Sequence, residues 1–319
     1  MIEIKNVVKT YGKQVALEDI SLVIPKGEIC MLLGPSGCGK STLLKIINGM
    51  LKADSGQVFI NGKEVFEYDE SVLRRGIGYA IQGVGLFPHM RVSENIGIVP
   101  ELLKWNKKKT QSRIEEMLDL VGLEQSFGNK FPRQLSGGEA QRVGVARALA
   151  ADPDILLMDE PFGALDPLNR FRLQQEFLKI QRKLAKTVVF VTHDIGEAIR
   201  MADKLVVMKK GTIAAEGTPI SIVDKAEEVA KAFLGNGFTL ELLEKFQLSE
   251  HEYILEEWSD CEDQMCEEIK LRVEDGLNLK DAVSIMLMQG TDRLMVITAE
   301  GPRCLSFIGI ATYFGGRNL

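Results

Sequence analysis

The sequence predicts an α/β protein, a large and mostly parallel sheet with helices on its faces, followed by a small α+β unit. Three observations predict it. Through the first two-thirds of the 319 residues, short β-branched runs alternate with amphipathic helical patterns, as strands joined by crossover helices do. A glycine-rich loop sits between one such strand and a helical run. Near Gly235-Asn236-Gly237 the charge balance changes: residues 236–319 hold 7 Lys/Arg against 16 Asp/Glu, a balance of −9, and the first 235 hold 32 against 29, a balance of +3. At 45% hydrophobic and 26% charged residues, the chain can form one large domain or two ordinary ones with cores of their own. That sets aside disorder, collagen and a small disulfide scaffold.

Taken in order, Ile29 to Leu33, Ile155 to Met158, Thr187 to Thr192 and Leu205 to Met208 read as buried strands. Between them Ile114, Met117, Leu118 and Val121 follow the i, i+3, i+4, i+7 spacing of a helix face, behind a start signal at Thr110 and ahead of Gly122. Leu173, Phe177, Ile180 and Leu184 make a second stripe; both read as core faces. Lys104, Lys107, Lys108 and Lys109 form a dense basic run that reads as a solvated loop rather than a lipid site. Glu241 to Glu268 carries eleven acids against one Lys, which suits a solvated, helical connector. Beyond it, Leu279, Ala282, Val283 and Met286 predict a helix ending near Gly290, and Leu294 to Thr298 a strand. The expected division is therefore 1–235, an acidic connector 236–253, and a C-terminal unit 254–319.

No window approaches eighteen apolar residues, so the expectation is a chain without a spanning segment or an exported leader. Five cysteines, Cys30, Cys38, Cys261, Cys266 and Cys304, without a Cys-x-x-Cys pair or a His cluster at zinc spacing, lead to the expectation of reduced thiols and no structural metal.

Gly34-Pro35-Ser36-Gly37-Cys38-Gly39-Lys40-Ser41 fits G-x-x-x-x-G-K-[ST], directly after the Ile29 strand and before a helical run from Thr42. Glycines at these places let backbone N–H groups curl around phosphate oxygens at a helix N-terminus. Lys40 supplies charge to the β and γ phosphates, and the Ser41 hydroxyl can ligate Mg²⁺. Cys38 occupies a variable loop position and reads as a small filler rather than a nucleophile. The strand Ile155 to Met158 ends in Asp159-Glu160. Two acids at a strand end also suit a solvated turn; beside a phosphate loop, Asp159 is placed for the Mg²⁺ shell and Glu160 to polarise an attacking water.

Leu135-Ser136-Gly137-Gly138-Glu139, followed by Gln141-Arg142 just ahead of that strand, resembles the signature motif of ATP-binding cassette (ABC) ATPases. Gln82 resembles the family's Q-loop glutamine, Ala164-Leu165-Asp166 its D-loop, His193 its switch histidine and Tyr11 the aromatic that stacks on adenine. The resemblance covers residues 1 to about 235 and implies a P-loop NTPase fold with a RecA-like core and a helical subdomain. It implies that ATP is held by Tyr11 and the segment Gly34 to Thr42, and Mg²⁺ by Ser41, Gln82 and Asp159. Catalysis would fall to Glu160, His193 and Gln82. Ser136, Gly137, Gly138 and Glu139 would grip the ATP of a second copy, with Asp166 crossing the interface, so that two ATPs join a head-to-tail homodimer.

Several stretches, among them Ile77 to Gln82, Gly85 to Met90, Glu94-Asn95-Ile96 and Val99 to Leu102 with Trp105, resemble the importer ATPases for glycine betaine, carnitine, choline or proline-type osmoprotectants. That likeness implies integral-membrane permease subunits as partners, an extracytoplasmic solute-binding protein as an indirect one, and a peripheral place on the cytoplasmic face of the membrane. An importer for another small organic solute is the near alternative and a soluble, non-transport ABC ATPase the far one. No strongly basic face points to nucleic acid. Residues 254–319 resemble a cystathionine-β-synthase (CBS) type module through Val273 to Gly276, the Leu279 helix, Gly290 to Ile297 and Gly309 to Thr312. The module departs from its pattern in the long interval from Gly301 to Gly309 and in Gly315 and Gly316, which stand where an acidic ribose ligand is often found.

Overall fold

The computed structural model describes residues 1–81, 83, 85–163, 165–225, 243–246, 248, 255–257, 270–272, 278–289, 293–298 and 301–310. Packing divides the chain into Met1–Asp194 with Met201–Glu216, and Ile195–Arg200 with Gly217–Leu319. The charge break near Gly235 and most of the acidic stretch lie outside the described residues.

The first unit opens with an antiparallel hairpin, β1 (Ile2–Tyr11) and β2 (Gln14–Ile24). The alternation in β2 turns Leu17, Ile20, Leu22 and Ile24 inward, the period of a strand with one wet face. After β3 (Ile29–Leu33), strands β4 (Ser55–Ile60) and β5 (Lys63–Glu64) complete a four-stranded sheet in the order β2-β1-β4-β5. The second sheet adds β6 (Ile77–Ala80), β7 (Ile155–Asp159), β8 (Thr187–Thr192), β9 (Lys204–Lys209) and β10 (Thr212–Gly217) in the order β10-β9-β3-β8-β7-β6. β3 is parallel to both of its neighbours, β8 and β9, and no residue of β3 is more than 1% exposed. An unbroken apolar run is what a strand covered on both faces requires. Helix α1 (Lys40–Ile47) packs Leu43, Leu44, Ile46 and Ile47 between the sheets, in one core with Ile2, Ile4 and Leu32.

After the short α2 (Glu70–Arg75), helices α3 (Val92–Leu102), α4 (Lys107–Leu120) and α5 (Gly137–Ala150) pack on one another as the expected helical subdomain. The stripe Ile114, Met117, Leu118 and Val121 is buried, at most 7% exposed. α4 starts three residues before Thr110, because the Asn106 side chain accepts the Lys109 N–H and caps the helix there. The basic run is thus largely a first helical turn instead of a loop, with the Lys109 ammonium 3.6 Å from the Trp105 ring centroid. In α6 (Pro167–Leu184) Leu173 and Phe177 are buried, whereas Leu184 is 42% exposed. The inner face runs instead through Gln174, Leu178 and Gln181, and Gln181 is accommodated because its amide donates to the carbonyls of Gly27 and Lys186.

In the second unit the helix Leu279–Gln289 buries Leu279, Ala282 and Met286. Strands β11 (Glu256–Glu257), β12 (Lys270–Arg272), β13 (Arg293–Thr298) and β14 (Gly301–Ser306) form a sheet in the order β11-β14-β13-β12. The long interval from Gly301 to Gly309 is explained by β14, which pairs antiparallel with β13 from Thr298↔Gly301 to Arg293↔Ser306. Cys30 and Cys38 are buried free thiols. Cys304, buried in β14, is disulfide-bonded, so the expectation of five reduced thiols does not hold at this strand. Among the described residues no helix is long and apolar enough to cross a membrane.

Candidate active site

Three parallel strands end at one edge of the second sheet. β3 runs out into the Gly34 loop, β7 into Asp159-Glu160, and β8 into His193; the registers Leu33↔Thr192 and Asp159↔Val191 bring these ends side by side. Ligands of open α/β sheets bind beyond such carboxyl ends. The cleft there has a volume of about 250 Å³ and is lined by Tyr11, Gln14, Ala16, Ser36, Gly37, Gly39, Lys40, Ser41, Thr42 and Glu160. Sequence reading missed Gln14 and Ala16: they enter only because the β1–β2 hairpin folds over the loop, and nothing local in the sequence marks that.

The loop geometry explains its glycines. Gly39 caps α1 at φ 108°, and a β-carbon there would sit 2.5 Å from the Ala16 carbonyl oxygen. Any side chain would displace the hairpin from the loop. At Gly34 a β-carbon would collide with the Met208 carbonyl. Pro35 accepts the Cys38 N–H through its carbonyl, at 3.3 Å. Cys38 points into the core at 3% exposure, in keeping with a filler. The Lys40 ammonium is folded onto the loop, 2.6 Å from the Gly34 oxygen and 3.0 Å from that of Pro35. It is 6% exposed, a buried charge held by carbonyl dipoles and available for exchange onto a phosphate.

Asp159 is 4% exposed. Burial raises its pKa, opposed by a hydrogen bond from the Ser41 hydroxyl and reinforced by the adjacent Glu160 carboxylate. Glu160 is set differently. Its φ of 49° lies in the left-handed region, which costs a non-glycine residue roughly 1–2 kcal/mol. Its N–H donates to the Val191 carbonyl at 3.0 Å, and its own carbonyl accepts from Gln141 Nε2 at 2.9 Å. Its carboxylate Oε1 lies 3.1 Å from His193 Nδ1. Gln82 and Ala164 lie outside the described residues.

Ser136 to Glu139 stand apart from this cleft, whose lining includes none of them. Ser136 and Gly137 are exposed. Ser136 caps α5 by accepting the Glu139 N–H at 3.3 Å, while Glu139 Oε2 accepts the Ser136 N–H at 2.6 Å. This reciprocal box contributes about 1 kcal/mol and lowers the Glu139 pKa, chiefly through that backbone bond. It leaves the first turn of α5 presenting N–H groups to an outside anion. Asp166 caps α6, accepting from Asn169 Nδ2 at 2.7 Å and Asn169 N at 3.1 Å, which lowers its pKa.

A second concavity lies beyond the end of β6, at Tyr79 and Gly85. About 370 Å³ in volume, it is lined mainly by apolar groups, Met50, Ile77, Phe87, Ile98, Val99 and Leu102, with Arg74, Arg75 and Arg147 among them. Asn95, fully buried, holds its wall by accepting the Phe87 N–H and donating to the carbonyls of Phe87, Met90 and Arg91. Arg147 donates to the Gly85 carbonyl at 2.8 Å, and burial lowers its pKa.

Residues 17–163 match the family model described as ABC transporter. The glycine betaine/carnitine/choline transport ATP-binding protein OpuCA of Bacillus subtilis is 43% identical over 304 residues, covering 94% of this chain and 76% of that protein. The glycine betaine uptake system ATP-binding protein YehX of Escherichia coli is 43% identical over 306 residues, covering 95% and 96%. Among solved structures, the dimeric post-hydrolysis ATP-binding cassette MJ0796 bound to ADP and Pi aligns with a TM-score of 0.64 at 38% identity, over 68% of this chain and 98% of that one. With 43% identity to two relatives sustained over 94% and 95% of its length, the chain belongs to the ABC transporter family as an ATP-hydrolysing subunit.

Proposed function

We propose that this chain, held peripherally on the cytoplasmic face of the membrane, energises uptake of a quaternary-ammonium or related osmoprotectant, such as glycine betaine, carnitine, choline or proline, through separate integral-membrane permease subunits. The observation that carries the reading is the likeness to OpuCA and YehX, which runs beyond the ATPase core into the C-terminal unit. The domain limits 1–235, 236–253 and 254–319 belong to the same proposal, with the last segment a CBS-like module that regulates or pairs the ATPases. An extracytoplasmic solute-binding protein would deliver the solute to the permease.

ATP enters the cleft with adenine against Tyr11, half exposed at 50%, and its phosphates along the N–H groups of Gly34 to Thr42. Lys40 leaves the carbonyls of Gly34 and Pro35 for the β and γ phosphates. The Ser41 hydroxyl and the Asp159 carboxylate, hydrogen-bonded to each other, form an oxygen-only donor pair that fits Mg²⁺, with Gln82 as a third candidate. The ion would neutralise phosphate charge when bound. Glu160 takes a proton from the water that attacks the γ-phosphorus, ADP leaves, and His193 orients the γ-phosphate. Ser136 to Glu139 of a second copy close over that phosphate, and Asp166 exchanges its capping role for a contact across the interface. The apolar groove lined by Phe87, Val99 and Leu102 receives a permease segment, and its arginines favour one with acidic residues.

Lys40→Ala should weaken ATP binding about 10- to 100-fold, the loss of one or two charge-assisted hydrogen bonds to phosphate. Isothermal titration calorimetry measures it, and an unchanged Kd would remove Lys40 from the site. The function itself is tested by deleting the gene and following uptake of labelled glycine betaine, carnitine, choline and proline. Uptake of at least one should fall and return on complementation. Parental uptake of all four would overturn the substrate class.

A further inference from the structure

Gln141 lies on α5, five residues beyond the Ser136 cap, and is only 7% exposed. Its amide nitrogen donates to the main-chain oxygen of Glu160 at 2.9 Å. A buried glutamine on the signature helix thus ends on the backbone of the acid that faces the phosphate loop. That backbone is in an unusual state: Glu160 is at φ 49°, a conformation that persists where surrounding structure over-determines it. β8 supplies one restraint, through the Val191 carbonyl on the Glu160 N–H at 3.0 Å. Gln141 supplies another on the opposite side of the same residue, and the Gly163 N–H approaches the same oxygen at 3.2 Å. With the main chain held at both N and O, the direction in which the Glu160 side chain leaves the backbone is set, and a contact of its carboxylate with His193 Nδ1 at 3.1 Å fixes the far end.

We propose that Gln141 is a positioning residue for ATP hydrolysis: it ties the signature helix to the Glu160 backbone. The helix segment that meets the partner's ATP then sets the base for the chain's own ATP. From Ser136 to Gln141 the helix rises roughly 7.5 Å, a stiff span of under two turns. A shift of its N-terminus on closing over a γ-phosphate therefore reaches the Glu160 carbonyl directly. Gln141 touches no substrate atom; it acts through Glu160. The inference rests on the assignment of Glu160 as base.

The test uses the full-length chain and steady-state ATP hydrolysis from about pH 6 to pH 8.5. Gln141→Met keeps the length of the side chain and removes the donor. It should lower kcat at least about tenfold with KM for ATP within twofold, since displacing a reacting group by a fraction of an ångström has effects of this order. Gln141→Glu provides a donor only while protonated, and burial raises a carboxyl pKa toward neutrality. Its turnover relative to the parent should therefore recover as pH falls, while that of Gln141→Met stays flat. The inference is overturned if Gln141→Met keeps kcat within twofold, or if both variants lose kcat and gain KM together with no difference in pH profile, as a merely structural side chain would give. Glu160→Gln in the same assay separates the two claims. Parental turnover there overturns the base assignment and the inference with it, whereas an inactive Glu160→Gln beside a fully active Gln141→Met overturns the inference alone.

Discussion

Replacing Glu160 with glutamine is expected to lower ATP turnover by roughly two to four orders of magnitude, the range for losing a positioned general base. ATP affinity should stay within about twofold. The variant is the same size, and the loop proposed to meet the phosphates, from Gly34 to Thr42, is untouched. The backbone restraints on residue 160, from Val191 and Gln141, act on its N–H and carbonyl and do not depend on the side chain. What changes is the group beside His193 Nδ1: a neutral amide cannot accept a proton from water. A phosphate-release assay with saturating ATP measures the loss. Turnover at the parental rate would move the base elsewhere.

Ser136→Arg should abolish turnover while leaving ATP bound to the isolated chain. Ser136 contributes nothing to the lining of the chain's own cleft, so the affinity of that cleft should stay within about twofold. At the exposed start of α5, the larger side chain covers the first-turn N–H groups that a second copy's γ-phosphate would need. The change also removes the Ser136 cap, at about 1 kcal/mol, small against the stability of a domain. A fluorescent ATP analogue reads binding and phosphate release reads turnover. If both survive, the signature segment does not take part in hydrolysis. If both vanish together, Ser136 belongs to the chain's own ATP site, against the geometry of the cleft.

The chemistry-bearing core was readable because its determinants are local. A five-residue apolar strand, a glycine-rich loop and a helix follow one another in the sequence, and Asp159-Glu160 closes a second apolar strand. That β8 lies between β3 and β7, which brings His193 beside both the phosphate loop and Glu160, is a matter of strand order and not of any one segment. Helix ends shifted where a side chain competed for the cap, as Asn106 does ahead of Thr110. The second stripe went astray at Leu184 because polar Gln174 and Gln181 can be buried once carbonyls satisfy them, which periodicity of apolar residues does not register. The interval after Gly301 reads as an anomalous turn in one dimension and as strand β14 in three. Gln141 was visible only as part of a motif; its bond to Glu160 spans nineteen residues and needs the fold to exist. The left-handed φ of Glu160 is likewise a tertiary fact, with no glycine or asparagine to announce it.

The central claim is that two chains enclose two ATPs and part when these are hydrolysed. Glu160→Gln makes it measurable, since a chain that binds ATP without turning it over should hold the closed state. The mass of the purified variant, taken by light scattering with and without ATP, is the direct test. A shift from the 35.4 kDa of one chain to twice that value on adding ATP, absent with ADP and absent in Ser136→Arg, is what the account predicts. A mass that does not respond to ATP would contradict it.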